Sequence, residues 1–305
     1  MINFTSIGVE FTSMDITLAL GGGGVRGSAH IGVIRRLEQE GFRIRGIAGT
    51  SFGGIVAVHY AAGYRPNDME EMFASLDQSQ LYGRTPDDGP SLMGLAGVKQ
   101  MLEEHLGDRT FANLRIPCVV TAVDLKSGSE VVLSSGRLVD AILATTAMPG
   151  IFPVRYIGDL ELVDGGTLDP VPVAPARALN PRLPVVAVSL NVPIGSAARM
   201  WSIPMPRYMP RALIQHFGRM RYGRMVDVFM RSLDIVSRAV SDYRLEVDKP
   251  DVIIRPCVDN IDTLDVIDVH EVVRLGEKAV DDVLPQLKQK FSLRKRIRRA
   301  LGARV

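Results

Sequence analysis

Gly49-Thr50-Ser51-Phe52-Gly53 sets a serine between two glycines, directly after the apolar run Ile44 to Ala48 and directly before the helix-like run Gly54 to Ala62. A serine on a sharp strand-to-helix turn presents its hydroxyl, and small flanking residues let backbone and substrate approach it, so the pattern suits a nucleophile. A second cluster, Gly21-Gly22-Gly23-Gly24-Val25-Arg26-Gly27, follows the strand-like run Ile16 to Leu20 and opens a helical pattern reaching Glu40. Such a loop turns N–H groups into one concavity at a helix N-terminus, where an anion belongs. The third element is Asp164-Gly165-Gly166, after the apolar Leu160 to Val163 and before Asp169-Pro170-Val171-Pro172. Alone, an Asp-Gly-Gly run reads only as a turn.

Gly22, Gly24 and Gly27 also satisfy the dinucleotide pattern G-x-G-x-x-G. That pattern wants an acid at the end of the next strand, where this chain puts Gly49-Thr50-Ser51, so no cofactor is expected. An oxyanion hole for acyl transfer, built on Gly22, Gly23 and Gly24 with Arg26 holding the loop or a nearby phosphate, fits better. No metal is expected either. The five histidines are dispersed, and Asp259, Asp262, Asp265 and Asp268 recur every third residue, unlike a calcium loop, which suggests a solvated acidic edge.

Taken together and in this order, the glycine loop, the Ser51 elbow and the Asp164 turn resemble the patatin-like phospholipase family. The resemblance runs from about Ile16 to Val173 and continues more weakly to Leu287; His30-Ile31-Gly32-Val33, Gly97-Val98-Lys99, Thr121-Ala122-Val123-Asp124 and Ala147-Met148-Pro149-Gly150-Ile151-Phe152-Pro153 share in it. It implies that Ser51 is the nucleophile and Asp164 its base, with Arg26, Gly27, Gly49, Gly53, Gly165 and Gly166 in support. It further implies hydrolysis of carboxylic esters in phospholipids or lysophospholipids. Two positions depart from it, Asp169 where an asparagine is expected and Thr145-Thr146 where a Ser or Ala pair is more usual; both bear on substrate preference rather than on chemistry. A Ser-Asp dyad needs a partly desolvated carboxylate, since an aspartate near its reference pKa of about 3.9 is a feeble base. A triad would require a histidine after the acid, His216 or His270, whereas His30 and His59 read as helix residues packed or solvated locally. The alternative of another class is a non-catalytic, membrane-associated lipid-binding or scaffold protein with this fold.

The elements that must position these residues read as strands at Ile16 to Leu20, Ile44 to Ala48, Pro117 to Val123, Val131 to Leu133, Val185 to Leu190 and Val252 to Ile254. Helical patterns at Val25 to Glu40, Gly53 to Ala62, Pro66 to Leu76, Val98 to Leu106 and Arg137 to Ala147 separate most of them. The alternation predicts an α/β three-layer sandwich around a mainly parallel sheet. Stripes at Phe229, Met230, Leu233, Val236, Val240 and Tyr243, and at Val272, Leu275, Ala279, Val283 and Leu287, predict core-facing helices. The turn-rich Asp77 to Gly94 is long enough to be a lid, and Ser196 to Phe217, with Trp201, suits an irregular apolar surface.

With 305 residues and 46% apolar content the chain can bury a large core, and we expect an extension over 1–14, one hydrolase domain over 15–287 and a basic tail over 288–305. That tail holds eight Lys or Arg and no acid, so the formal net charge of +2 divides into +8 there and −6 upstream (28 basic against 34 acidic). Its Leu293, Ile297, Ala300 and Leu301 lie at helical spacing among arginines, which suits peripheral contact with an anionic membrane rather than nucleic acid. Cys118 and Cys257 read as buried free thiols of a reducing, cytoplasmic compartment. No signal-peptide pattern and no run of 18 apolar residues is present.

Overall fold

A computed structural model describes residues 14–191 and 221–291. Eight strands form one sheet: β1 (Met14–Leu20), β2 (Phe42–Thr50), β3 (Cys118–Asp124), β4 (Ser129–Leu133), β5 (Arg155–Ile157), β6 (Leu160–Asp164), β7 (Val185–Val188) and β8 (Val252–Ile254). Their order is β5-β6-β3-β2-β1-β7-β8, with β4 also on β3. The run β3-β2-β1-β7-β8 is parallel, whereas β4, β5 and β6 pair antiparallel. The helices are α1 (Ala29–Gln39), α2 (Phe52–Ala61), α3 (Pro66–Ala74), α4 (Ala96–Leu106), α5 (Leu138–Thr145), α6 (Val173–Leu179), α7 (Arg221–Asp248) and α8 (Val269–Phe291).

The parallel strands are apolar throughout because both faces are covered, and their period of two sorts side chains between the layers. From β1, Ile16, Leu18 and Leu20 join the larger core with α1 to α5 and α8, while Ala19 faces the smaller one. Val186 and Val188 of β7 go to the first face, and Val185 and Ala187 to the second. The second face is lined by small side chains, Ala19, Ala48 and Ala187, against which Val173 and Ala176 of α6 and Leu245 of α7 close. The β1–β2 register shifts between Ile16 and Thr17, so Ile44 and Ile47, three apart, both reach the larger core.

The β3 registers fix the place of the site. Thr121 pairs with Thr50 of β2 and Val132 of β4, and Ala122 with Asp164 of β6 and Val131 of β4. With β4 along one side of β3, β2 and β6 must share the other. They run toward each other along it, and their C-terminal ends meet at Thr50 and Asp164.

Several expectations are corrected. The pattern Val25 to Glu40 divides into a 3-10 turn, Gly24–Ser28, and α1. Of the second stripe Val272, Ala279 and Leu287 are buried while Leu275 and Val283 are half-buried, but Phe229, Val236 and Tyr243 of α7 stand 53%, 54% and 66% exposed. Leu245 is the apolar residue that α7 buries in the smaller core. Cys118 is buried, but Cys257 is exposed because it follows β8 rather than lying in it. Asp268 accepts the N–H groups of His270 and Glu271 at the start of α8, and Asp265 accepts that of Asp262, so these two acids shape backbone rather than line a free edge.

Candidate active site

Ser51 lies between the end of β2 and the start of α2 at φ +55°, ψ −127°, a conformation rare for a side-chain-bearing residue. The turn is tight enough to require glycine on both sides. A Cβ on Gly49 would lie 2.4 Å from the Gly53 carbonyl oxygen, and one on Gly53 2.3 Å from that of Leu20. The Ser51 carbonyl accepts the N–H of Gly54 at 2.8 Å, and its N–H donates to Thr145 Oγ1 at 2.9 Å. Thr145 in turn donates to the Thr121 carbonyl at 2.6 Å.

Asp164 ends β6, 6% exposed, and its Oδ1 accepts the Gly166 N–H at 2.7 Å. Gly165 is pressed onto β3, where a Cβ would meet Thr121 Oγ1 at 2.3 Å. Burial pushes this carboxyl up to about 6, against the Gly166 N–H and the nearby Ser51 hydroxyl, which favour its charged form.

The glycine loop runs beside Ser51; a Cβ on Gly22 would stand 3.2 Å from the Ser51 Cβ. Gly21 N–H donates to the Val188 carbonyl and Gly22 N–H to that of Pro170, each at 2.9 Å. Gly22 therefore holds the loop with the donor that the sequence reading assigned to an anion. Among the described residues, no acceptor takes the N–H of Gly23 or Gly24. Gly24 has φ +59°, and a Cβ there would fall 2.0 Å from the Thr263 carbonyl oxygen. A Cβ on Gly27 would enter the Phe52 ring at 2.3 Å. Arg26 is 8% exposed and donates from Nε to the Gly23 carbonyl at 2.9 Å, with further contacts to Leu190 O and Thr263 Oγ1, so of its two expected roles it fills that of holding the loop.

Beside Ser51 lies a cavity of about 80 Å³ whose walls include Phe73, Leu81, Leu95, Met101 and Phe152, with Gly24 and Val25 at the glycine loop. Asp77 to Gly94 borders it. Tyr82 stacks on Phe152 with ring centroids 5.4 Å apart, and the N–H groups of Leu92 and Met93 donate to the carbonyls of Gly150 and Ile151.

The described histidines stand apart from this chemistry. His30, wholly buried, donates Nε2–H to the Gly21 carbonyl at 2.7 Å, and burial lowers its pKa to about 4. His59 is buried between Tyr64 and Phe73. His270 places Nδ1 2.6 Å from Glu70 on α3, and His216 lies outside the described residues. Sequence reasoning missed Thr145 and His30 as supports of the site, and Thr50, whose hydroxyl donates to the Asp169 carbonyl at 3.0 Å.

Residues 18–177 match the family described as patatin-like phospholipase. The chain belongs to that family. An uncharacterized NTE family protein of Mycobacterium tuberculosis is 39% identical over 183 residues, 59% of this chain and 50% of that protein. The Kluyveromyces lactis protein named lysophospholipase NTE1 is 26% identical over 308 residues, 95% of this chain but 20% of that protein. The chain thus spans half of one relative and a fifth of the other. Among solved structures, VipD from Legionella pneumophila shares the fold, with a TM-score of 0.50 and 12% identity over 90% of this chain and 67% of that one. The family's description and the name of the Kluyveromyces lactis relative both denote phospholipid hydrolysis.

Proposed function

We propose that this protein is a serine acyl hydrolase of lipid carboxylic esters, phospholipids or lysophospholipids, in which Ser51 is the nucleophile and Asp164 the base. The observation that carries the reading is the juxtaposition of Ser51, on its strained elbow, with the buried Asp164 carboxylate at the meeting ends of β2 and β6, beside an apolar cavity. Burial makes Asp164 a stronger base than an exposed aspartate. Asp164 takes the Ser51 proton as the oxygen attacks the ester carbonyl. The N–H groups of Gly23 and Gly24 stabilise the oxyanion, and the proton passes to the leaving alcohol. Water, activated by Asp164, then cleaves the acyl-enzyme and restores Ser51. The acyl chain lies against Phe73, Leu95, Met101 and Phe152. We place the activity in one domain over 15–287 in the cytoplasm, with peripheral membrane contact through the basic tail, whose residues 292–305 lie outside the described residues; none of the described helices is long and apolar enough to cross a membrane.

The test is incubation with mixed phospholipids and lysophospholipids, mass spectrometry of the products, and labelling with a fluorophosphonate. Ser51→Ala and Asp164→Asn should each abolish turnover while unfolding cooperatively, with the double variant hardly worse than either. A folded His270→Ala or His216→Ala variant as inactive as Ser51→Ala would overturn the dyad. Wild-type protein that neither hydrolyses any of the lipids nor takes the label would favour the non-catalytic alternative.

A further inference from the structure

Asp169 is fully buried, yet it is not part of the dyad. Its main chain and that of Pro170 touch all three segments of the site. The Asp169 N–H donates to the Gly165 carbonyl at 2.9 Å and closes the turn that Asp164 begins. The Asp169 carbonyl accepts the hydroxyl of Thr50, the residue before Ser51, at 3.0 Å. The Pro170 carbonyl accepts the Gly22 N–H of the glycine loop at 2.9 Å. The Asp169 side chain places Oδ2 3.0 Å from Nη2 of Arg244 on α7. Neither Oδ1 nor Oδ2 has a hydrogen-bond donor in place among the described residues, so Arg244 meets this carboxylate as an ion pair without hydrogen-bond geometry. The same Nη2 stands 2.9 Å from Glu130 of β4, and Asp248 of α7 lies 3.8 Å from Nε. Arg177 of α6 turns instead to the Asp248 carbonyl and the Asp251 carboxylate, which leaves Arg244 as the cation facing Asp169 among the described residues.

We propose that Asp169 and Arg244 form a positioning pair that sets the glycine loop, the Ser51 elbow and the Asp164 turn in register through the main chain of residues 169–170. The inference rests on the hydrolase reading. A buried carboxylate that loses its cation costs far more than one whose charge is removed together with the cation. Arg244 is therefore indispensable only while residue 169 is an acid. Burial raises the Asp169 carboxyl and Arg244 draws it back. Without Arg244, with Glu130 and Asp248 as its remaining charged neighbours, Asp169 takes up a proton at higher pH. The damage then grows as pH rises and recedes as it falls.

The experiment measures kcat and KM on a short-chain ester from about pH 6 to about pH 9 for wild type, Arg244→Met, Asp169→Asn and the double variant. Arg244→Met should lose about tenfold or more in kcat at about pH 8 with KM little changed, and its ratio to wild type should rise toward about pH 6. Asp169→Asn should lose only a few-fold, and adding it to Arg244→Met should restore most of kcat and flatten the ratio. A ratio independent of pH, or a double variant no faster than Arg244→Met, would overturn the pair. If wild type neither turns over ester nor takes a fluorophosphonate, the hydrolase reading fails and thermal unfolding decides the pair. Arg244→Met must then lose more stability at about pH 8 than at about pH 6 and the double variant must not; equal losses would overturn it.

Discussion

A buried carboxylate poised as a base is also a burden on the fold, and at Asp164 the two consequences can be measured separately. Its folded pKa of about 6 lies above the value of about 3.9 expected in the unfolded chain. The native state thus holds the proton longer, so stability falls as pH rises from about 4 through about 6, by on the order of 3 kcal/mol for a shift of this size. Asp164→Asn should therefore unfold at a higher temperature than wild type at about pH 8, with the gain gone near pH 4, although the variant is inactive throughout. Wild-type kcat/KM should rise about tenfold per pH unit below about 6 and level off above it. Equal stability of the two proteins at both pH values would contradict the burial argument. Thr145 offers a second test. Thr145→Val keeps the volume but leaves the Ser51 N–H unpaired, at a cost of about 1–3 kcal/mol by urea denaturation, and should slow turnover, while Thr145→Ser should restore both. Ser51, Asp164 and their glycines were legible because each sits in a short local pattern. Thr145, 94 residues from Ser51, was not, because only the packing of α5 against β3 brings its hydroxyl beneath the elbow. The partner of the Gly22 N–H is hidden from the sequence for the same reason, since Pro170 lies on another segment.

At the scale of elements, the strand-to-helix elbow works because β2 and α2 nearly touch. Gly53→Ala drives a methyl into the Leu20 carbonyl oxygen, 2.3 Å from the ideal Cβ position, where backbone rather than a flexible side chain must yield. We expect it to lose about 1–3 kcal/mol or more and to blunt fluorophosphonate labelling, whereas Gly83→Ala, whose nearest neighbour would stand at 3.7 Å, should do neither. Labelling as fast as wild type in Gly53→Ala would show that the elbow tolerates a side chain. The alternation of strands and helices was readable because the long apolar runs are periodic. The hairpin of β5 and β6 and the seven-residue α6 were not read, being too short for a period to stand out. The meeting of β2 and β6 along β3 lies wholly in registers, which no local pattern encodes.

On the scale of the whole molecule, the site depends on a helix far outside the segment that matches the family, which ends at residue 177. α8 begins at Val269 and crosses α1, the helix that follows the glycine loop, at a contact made by two glycines. A Cβ on Gly276 would lie 1.9 Å from the Ala29 carbonyl oxygen, and one on Gly32 1.9 Å from that of Val273. Farther along, Arg35 reaches Glu277 at 3.0 Å, and the Phe291 ring meets Phe42 of β2 edge-on at 5.8 Å. The sequence showed the apolar stripe of α8 but not its partner, because a glycine at a helix crossing looks like any other weak helix former until the second helix is known. Gly276→Ala should push the helices apart. It should lower stability by about 1–3 kcal/mol or more, as overpacking against backbone does, despite the better helix propensity of alanine. Since α1 carries the loop of Gly23 and Gly24 at its N-terminal end, kcat should fall with it. Gly89→Ala, with open space around its Cβ, supplies the control and should change neither quantity. Thermal unfolding and ester turnover on the three proteins decide it. If Gly276→Ala is as stable as wild type, α1 and α8 do not cross so closely, and α8 is not what holds the glycine loop in place.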